Sequence, residues 1–121
     1  MPNYSNTTPP NSLSPGDVGF SFNNENPAAP QAGTQFAIAR PYGVDDPPSV
    51  GVDIRFAVAP TAVQMDIQAS IDDVDANYNT VYSSTRTSGE HVNVVNLKAR
   101  FLRARLVSQT GGSGVTVEFL G

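Results

Sequence analysis

The sequence predicts an all-β protein built as an antiparallel sandwich of two sheets, and three observations lead to this prediction. In residues 63–71 every odd-numbered position is apolar and every position between them is polar. Because successive side chains of a strand point to opposite faces, this run predicts a strand with one dry and one wet face. No stretch of ten residues has the spacing of an amphipathic helix. Turn signals separate the other apolar runs at intervals typical of sandwiches.

Short alternating runs predict the remaining strands. From residue 34 onward we expect seven strands, with Leu102, Ala104 and Leu106 facing the core on the sixth. Seven strands suit an immunoglobulin-like sandwich, and eight, with residues 18–22 as the additional one, suit a jelly roll. We favour a jelly-roll-like sandwich of seven or eight strands. The seven predicted strands are residues 35–38, 52–58, 63–71, 78–82, 91–94, 100–108 and 115–119, with a predicted loop at residues 45–48.

Composition divides the chain into an extended N-terminal arm at residues 1–33 and a sandwich domain at residues 34–121. The first segment holds six of the ten prolines and no Lys or Arg. Proline withholds an amide donor and keeps its predecessor extended, so most of this segment forms neither a helix nor a central strand. Val18, Phe20 and Phe22 occupy alternate positions, which favours an arm lying on a neighbouring subunit. They equally suit an edge strand of the same domain, and we predict that they bind a partner.

The charge balance excludes some classes of partner. Seven Lys and Arg stand against eleven Asp and Glu, a net charge of −4. Binding to nucleic acid or to an anionic membrane is therefore not expected, since both need a basic surface. The absence of cysteine excludes disulfides, thiolate metal sites and cysteine nucleophiles. The first residues have neither the basic start nor the apolar segment of a secretory signal, so export by that route is not expected.

The densest group of oxygen-bearing side chains lies at residues 72–79. Asp73, Asp75 and Asn77 alternate there, and because calcium prefers oxygen ligands these three are the candidate metal ligands. The EF-hand pattern fails, since Tyr78 and Ser84 occupy the positions of its glycine and its glutamate. Asp and Asn also form ordinary turns through hydrogen bonds to their own backbone. We favour a connecting loop, and the sequence predicts no cofactor.

No arrangement of residues predicts catalysis. His91 is the only histidine, and no nucleophile is placed near it by the sequence. The Gly112-Ser113-Gly114 run lacks the spacing of a nucleophile elbow and reads as a hairpin turn. We therefore expect a protein that is not an enzyme.

Two groups of side chains are candidates for binding. Phe101, Arg103 and Arg105 share one face of a predicted strand, and aromatic and guanidinium groups are enriched at protein interfaces. The alternative is that the arginines pair with Glu118 on the next strand. Tyr78 and Tyr82 also share a predicted strand face, where they either contact a sugar or a partner or cover the edge of the core.

Residues 63–120 resemble recurrent parts of jelly-roll sandwiches. IQASIDD at residues 67–73 followed by TVY at 80–82 resembles the strand, acidic turn and strand of discoidin-like and carbohydrate-binding modules. ARFLRARL at 99–106 with GGSG at 111–114 resembles their C-terminal hairpin. There is no tryptophan, which their sugar sites usually present. A Pro- and Asn-rich arm before a compact β domain is similar to the capsid cement or decoration proteins of tailed phages.

The phage resemblance implies a non-enzymatic structural protein of the virion that binds and stabilises the capsid shell. Its arm would reach over neighbouring subunits, and its partners would be the major capsid protein and further copies of itself, as a dimer or trimer. It would be made in the host cytoplasm and lie on the capsid surface. The alternative is a carbohydrate-binding or adhesion module of a phage tail or fibre that binds glycan through Tyr78 and Tyr82.

Overall fold

The computed structural model describes residues 12–13, 16–38, 49–95, 97 and 99–121, which form two stacked β-sheets. A single 3₁₀ turn at Asp75–Asn77 lies between the sixth and seventh strands. The predicted all-β sandwich is therefore confirmed. The strands are β1 (Ser12–Leu13), β2 (Val18–Glu25), β3 (Gln31–Ala32), β4 (Phe36–Ile38), β5 (Val50–Val58), β6 (Ala62–Ser70), β7 (Asn79–Ser84), β8 (Glu90–Val94), β9 (Phe101–Thr110) and β10 (Ser113–Leu120).

The strands divide into a six-stranded and a four-stranded sheet. The first has the order β1-β4-β9-β6-β7, with β3 also paired to β9, and the second has the order β2-β10-β5-β8. β1 runs parallel to β4, and the other pairings among the described residues are antiparallel. β6, the strand with the clearest alternation, lies between β9 and β7.

The core lies between the sheets and consists of the inward-facing side chains of both. Leu102, Ala104 and Leu106 of β9 are fully buried, as predicted. The ring of Phe36 in the six-stranded sheet meets that of Phe119 in the four-stranded sheet edge to face, with 6.0 Å between the centroids. Each fully buried large apolar side chain contributes about 1.5–3 kcal/mol of transfer free energy. Burial between the sheets is therefore the main stabilising contribution.

The N-terminal part of the chain departs from the prediction, because it belongs to the sandwich. β2 pairs antiparallel with β10, where Val18 lies opposite Leu120, and β3 pairs with β9. The expected boundary between arm and domain thus falls inside the sheets, and the edge-strand alternative is the one observed. Residues 1–11 and 14–15 of the predicted arm, and the predicted loop at 45–48, lie outside the described residues.

A β-bulge at Ser21 changes which side chains of β2 face the core. Phe20 lies opposite Glu118 and Phe22 opposite Val117, so Ser21 is an extra residue between consecutive pairs. An extra residue reverses the alternation beyond it. Phe22 is consequently 0% exposed, whereas Phe20 is 38% exposed on the outer face. The prediction that Phe22 binds a partner is therefore wrong.

Ser21 also joins the two sheets. Its hydroxyl accepts a hydrogen bond from the amide of Ala104 and donates one to the carbonyl of Thr34, both at 2.9 Å. The Thr34 amide donates to the Ser21 carbonyl and the Gly33 amide to the Ala104 carbonyl, again at 2.9 Å. A Cβ on Gly33 would lie 2.3 Å from the Ser21 carbonyl oxygen, so this crossing requires glycine.

The outer face of β6 is polar but buried, whereas the sequence predicted that it would be exposed to water. Asp66, Gln68 and Ser70 are buried because side chains of the neighbouring strands and of the following loop cover them. Asp66 accepts hydrogen bonds from Ser83 at 2.5 Å and from Thr80 at 3.2 Å. A buried carboxylate needs such donors, since burial without them is costly.

Candidate interaction surface

Arg103, predicted to bind a partner, lies beneath the surface of the six-stranded sheet. Its side chain is 3% exposed. Its Nε donates to Gln68 Oε1 at 2.9 Å, and one terminal nitrogen donates to Asp75 Oδ1 at 2.6 Å. Its guanidinium carbon lies 3.9 Å from the centroid of the Tyr78 ring. Arg103 thus holds the loop between β6 and β7 against the sheet and does not present its charge to a partner.

The partner patch predicted on β9 is therefore divided. Phe101 and Arg105 are half-buried, and the Arg100 guanidinium lies 5.7 Å from the centroid of the Phe101 ring. Glu118, the alternative partner for the arginines, lies in the other sheet and accepts a hydrogen bond from Arg55 at 3.1 Å. The expected pairing with Glu118 is wrong, because β9 and β10 belong to different sheets.

A second bulge separates the two tyrosines that were predicted to share a face. In the pairing of β6 with β7, Ile67 lies opposite Tyr82 and Gln68 lies opposite Thr80. Val81 is therefore an additional residue that forms a β-bulge. Tyr82 therefore packs against the core, while Tyr78 lies on the outer side under Arg103. The predicted shared aromatic face is wrong for the same reason as the placement of Phe22.

Both tyrosines are occupied by contacts within the domain. The Tyr78 hydroxyl donates to Asp73 at 2.8 Å, and burial together with this hydrogen bond raises the pKa of Tyr78 well above its usual range. The Tyr82 hydroxyl donates to Glu90 at 2.8 Å, and this hydrogen bond raises the pKa of Tyr82. Since one face of the Tyr78 ring is covered by Arg103, the pair offers no joint platform for a sugar.

The candidate calcium ligands point to different partners. Asp73 accepts from Tyr78, Asp75 accepts from Arg103, and the Asn77 amide donates to Asp72 at 3.0 Å. Among the described residues, no group of three or more His, Asp or Glu side chains is placed to hold a metal ion. The loop closes on itself and on the sheet through hydrogen bonds.

Asp75→Asn is expected to remove part of the protein's sensitivity to acid. The hydrogen bond from Arg103 and its charge hold the pKa of Asp75 below the ordinary value of 3.8. A lowered folded-state pKa means that the stabilisation is fully present above the unfolded-state pKa and is lost as the pH falls through the folded-state pKa. In urea unfolding, the difference in free energy between wild type and Asp75→Asn should shrink below about pH 4.

The control for this prediction is Glu25→Gln, because Glu25 is exposed and accepts its hydrogen bond from the backbone amide of Asn23. A wild-type minus Asp75→Asn difference that stays constant down to about pH 2 would show that the ion pair contributes nothing.

The loop between β6 and β7 exposes aliphatic side chains as well as carboxylates. Asp72, Asp73 and Asp75 each accept a hydrogen bond from a side chain of the domain. Ile71 is 73% exposed and Val74 is half exposed. Grouped exposed apolar side chains are typical of interaction sites.

Exposed aliphatic side chains collect at one end of the sandwich. Val18 and Leu120 are cross-strand partners at the end of the four-stranded sheet, where Val95 follows β8. The six-stranded sheet ends at the same level, because Phe36 contacts the Phe119 ring beside Leu120 and Ile71 follows β6 there. We call this the apolar end and define it by five exposed residues, Val18, Ile71, Val74, Val95 and Leu120.

The opposite end of the sandwich is mostly polar. Within the described part of the chain, Val58, opposite Ser113, is the exposed large hydrophobic side chain found there. A depression at this end has a mixed lining of Asn26, Pro27, Ala29, Gln109, Gly111 and Gly112. Among the described residues, the large exposed aliphatic side chains are therefore unevenly distributed between the two ends of the sandwich.

Sequence reasoning placed Val18 at a surface and missed the other four residues of the apolar end. A local signal existed for two of them, since Ile71 and Val74 are apolar residues in a run of Asp and Asn. The positions of Val95 and Leu120 toward the same end depend on strand pairing and had no local signal.

His91 lies beside a shallow depression of about 260 Å³ on the outer face of the four-stranded sheet. Its Nδ1 is 3.7 Å from Asp53 Oδ1, and Asp53 also accepts a hydrogen bond from Arg55 at 2.6 Å. None of the residues lining the depression carries a hydroxyl or thiol. The arrangement can bind through charge and apolar contact, with Val18 and Leu120 in its lining.

Comparison with known proteins gives a relationship at the level of fold. No family model matches the chain, and no curated protein matches it. In the described part of the chain, no helix is both long and apolar enough to cross a bilayer. The crystal structure of the SPBc2 prophage-derived protein YomS matches with a TM-score of 0.53 and 18% sequence identity, over 85% of this chain and 90% of that one. The chain therefore shares the fold of a prophage-derived protein.

Proposed function

We propose that the protein is a non-enzymatic structural component of a tailed-phage particle that binds and stabilises the shell as a cement or decoration protein. The observation that carries this proposal is the apolar end, which gathers five exposed aliphatic side chains at one end of a rigid sandwich. The shared fold with a prophage-derived protein supports a phage origin. The proposed location is the outer surface of the capsid.

The mechanism is attachment by the apolar end. Burying apolar surface contributes about 25 cal/mol per Å², so a few aliphatic side chains together supply several kcal/mol before the cost of association. The proposed partner is the major capsid protein, with further copies of the chain at symmetry-related positions as a dimer or trimer. Phe20 lies on the outer face of β2 near this end and extends the contact.

The glycan-binding alternative is less well supported. It depended on Tyr78 and Tyr82 as a pair, and the two lie on different sides of the six-stranded sheet. An enzymatic role would depend on His91, which lies on an open face beside Asp53. Neither arrangement favours these functions over attachment.

Val18→Asp is expected to weaken binding to the shell at least about tenfold, because it places an uncompensated charge in the contact. Val58→Asp is the matched control, since Val18 is 54% exposed and Val58 is 58% exposed at the opposite end. Co-sedimentation with empty capsids of the encoding phage, with each variant titrated against a fixed amount of shell, measures the effect. Equal binding by the two variants would remove the apolar end from the interface. Failure of the wild type to sediment with the shells would refute the proposed function itself.

A further inference from the structure

A groove of about 430 Å³ runs beside the loop between β6 and β7. Its lining includes the apolar side chains of Ile71, Val81 and Leu97. It also includes the polar side chains of Asp72 and Asn77. The groove opens at the apolar end, since Ile71 belongs to both.

Asp72 is the charged residue among those lining the groove, and its hydrogen-bond partners are neutral. Its carboxylate accepts from the Ser70 hydroxyl at 3.1 Å and from the Asn77 amide at 3.0 and 3.2 Å. Asp75, by contrast, pairs with Arg103. Within the described residues, the negative charge of Asp72 is therefore not neutralised by a cation.

The combination of apolar and polar side chains in its lining restricts what the groove can bind. A purely apolar side chain would cover Asp72 and desolvate its carboxylate without a partner, which is unfavourable. An anion would be repelled. Lysine and arginine combine an apolar stem with a terminal cation, so the stem covers apolar surface while the charge stays at a polar rim.

From this complementarity we infer that the groove binds a basic side chain, arginine or lysine, displayed by a protein partner. The aliphatic stem lies along Ile71, Val81 and Leu97, and the cationic head meets Asp72. That this partner is the shell protein rests on the proposed function. The binding of a basic side chain rests on the groove alone.

The test uses the isolated ¹⁵N-labelled protein without shells, titrated with the peptide acetyl-Ala-Arg-Ala-amide and followed by amide chemical shifts. The matched peptide carries citrulline, which has the shape of arginine and no charge. The arginine peptide should shift the amides of Ile71, Asp72 and Val81 in a saturable way, and the citrulline peptide should bind more weakly. Equal binding of the two peptides, or shifts that lie elsewhere, would overturn the inference.

Asp72→Asn should weaken binding of the arginine peptide about two- to fivefold, the effect of an exposed ion pair. Asp53→Asn, on the opposite sheet, makes the same change of net charge and should leave binding unaltered. The shifts should persist in Lys98→Ala, which would show that they do not depend on the chain's only lysine. Loss of the shifts in Lys98→Ala, or no effect of Asp72→Asn, would refute the site. A peptide that binds while shells do not would refute only the proposed function.

Discussion

Phe22→Ala is expected to lower the free energy of unfolding by about 3–5 kcal/mol, the cost of removing a fully buried aromatic ring and leaving a cavity. Phe22 has no exposed surface and lies in the core opposite Val117, because the bulge at Ser21 turns it inward. Chemical denaturation in urea, analysed with a common slope for wild type and variant, measures the change.

The control is Phe20→Ala, two residues earlier on the same strand. Phe20 lies on the outer face opposite Glu118, so its truncation should cost less than about 1 kcal/mol. The comparison tests the bulge directly, since unbroken alternation would give the two phenylalanines the same environment. Similar costs for both variants would show that β2 does not slip at Ser21.

Gly33→Ala is expected to destabilise the protein by about 3 kcal/mol, the upper part of the range for overpacking. The added Cβ would lie 2.3 Å from the Ser21 carbonyl oxygen and 2.9 Å from its carbon. These are backbone atoms held by the hydrogen bond from the Thr34 amide, so they cannot move aside as the end of a flexible side chain would. A drop in the midpoint of urea unfolding measures the effect.

Gly51→Ala is the matched control, because Gly51 lies on a strand and the atom nearest to an added Cβ there is 3.4 Å away. Alanine is favoured over glycine in a strand by about 0.5–1 kcal/mol, so this variant should be neutral or slightly more stable. If Gly33→Ala were tolerated as well as Gly51→Ala, the connection from β3 to β4 would not pass close to the backbone of Ser21.

The strands were predictable because their signal is local. Alternation in residues 63–71 depends only on the order of apolar and polar residues, and it places Met65 and Ile67 in the core without knowledge of any partner strand. The inward faces of β9 and β10 followed from the same reasoning. The absence of helical spacing supported the fold class in the same way.

The candidate site was predictable only in part. Val18 and Phe20 were predicted to bind a partner, and both are exposed, while their binding stays a prediction. Phe22 was assigned to the same surface, because its alternation with them is unbroken in the sequence. Arg103 was expected to be exposed, yet it is covered by a loop whose course depends on contacts with Tyr78 and Gln68.

By itself the sequence determined most of the strands, though not β1 and β3, which positions along most of them are apolar, and that the fold is an all-β sandwich. The tertiary structure decided where the ladders slip, including at Ser21 and Val81, what covers the polar face of β6, and which exposed aliphatic side chains lie toward the same end. The physical reason is the range of the interactions. Side-chain alternation is set within a strand, whereas register, bulges and the neighbours of a surface residue are set by pairing between segments far apart in the chain.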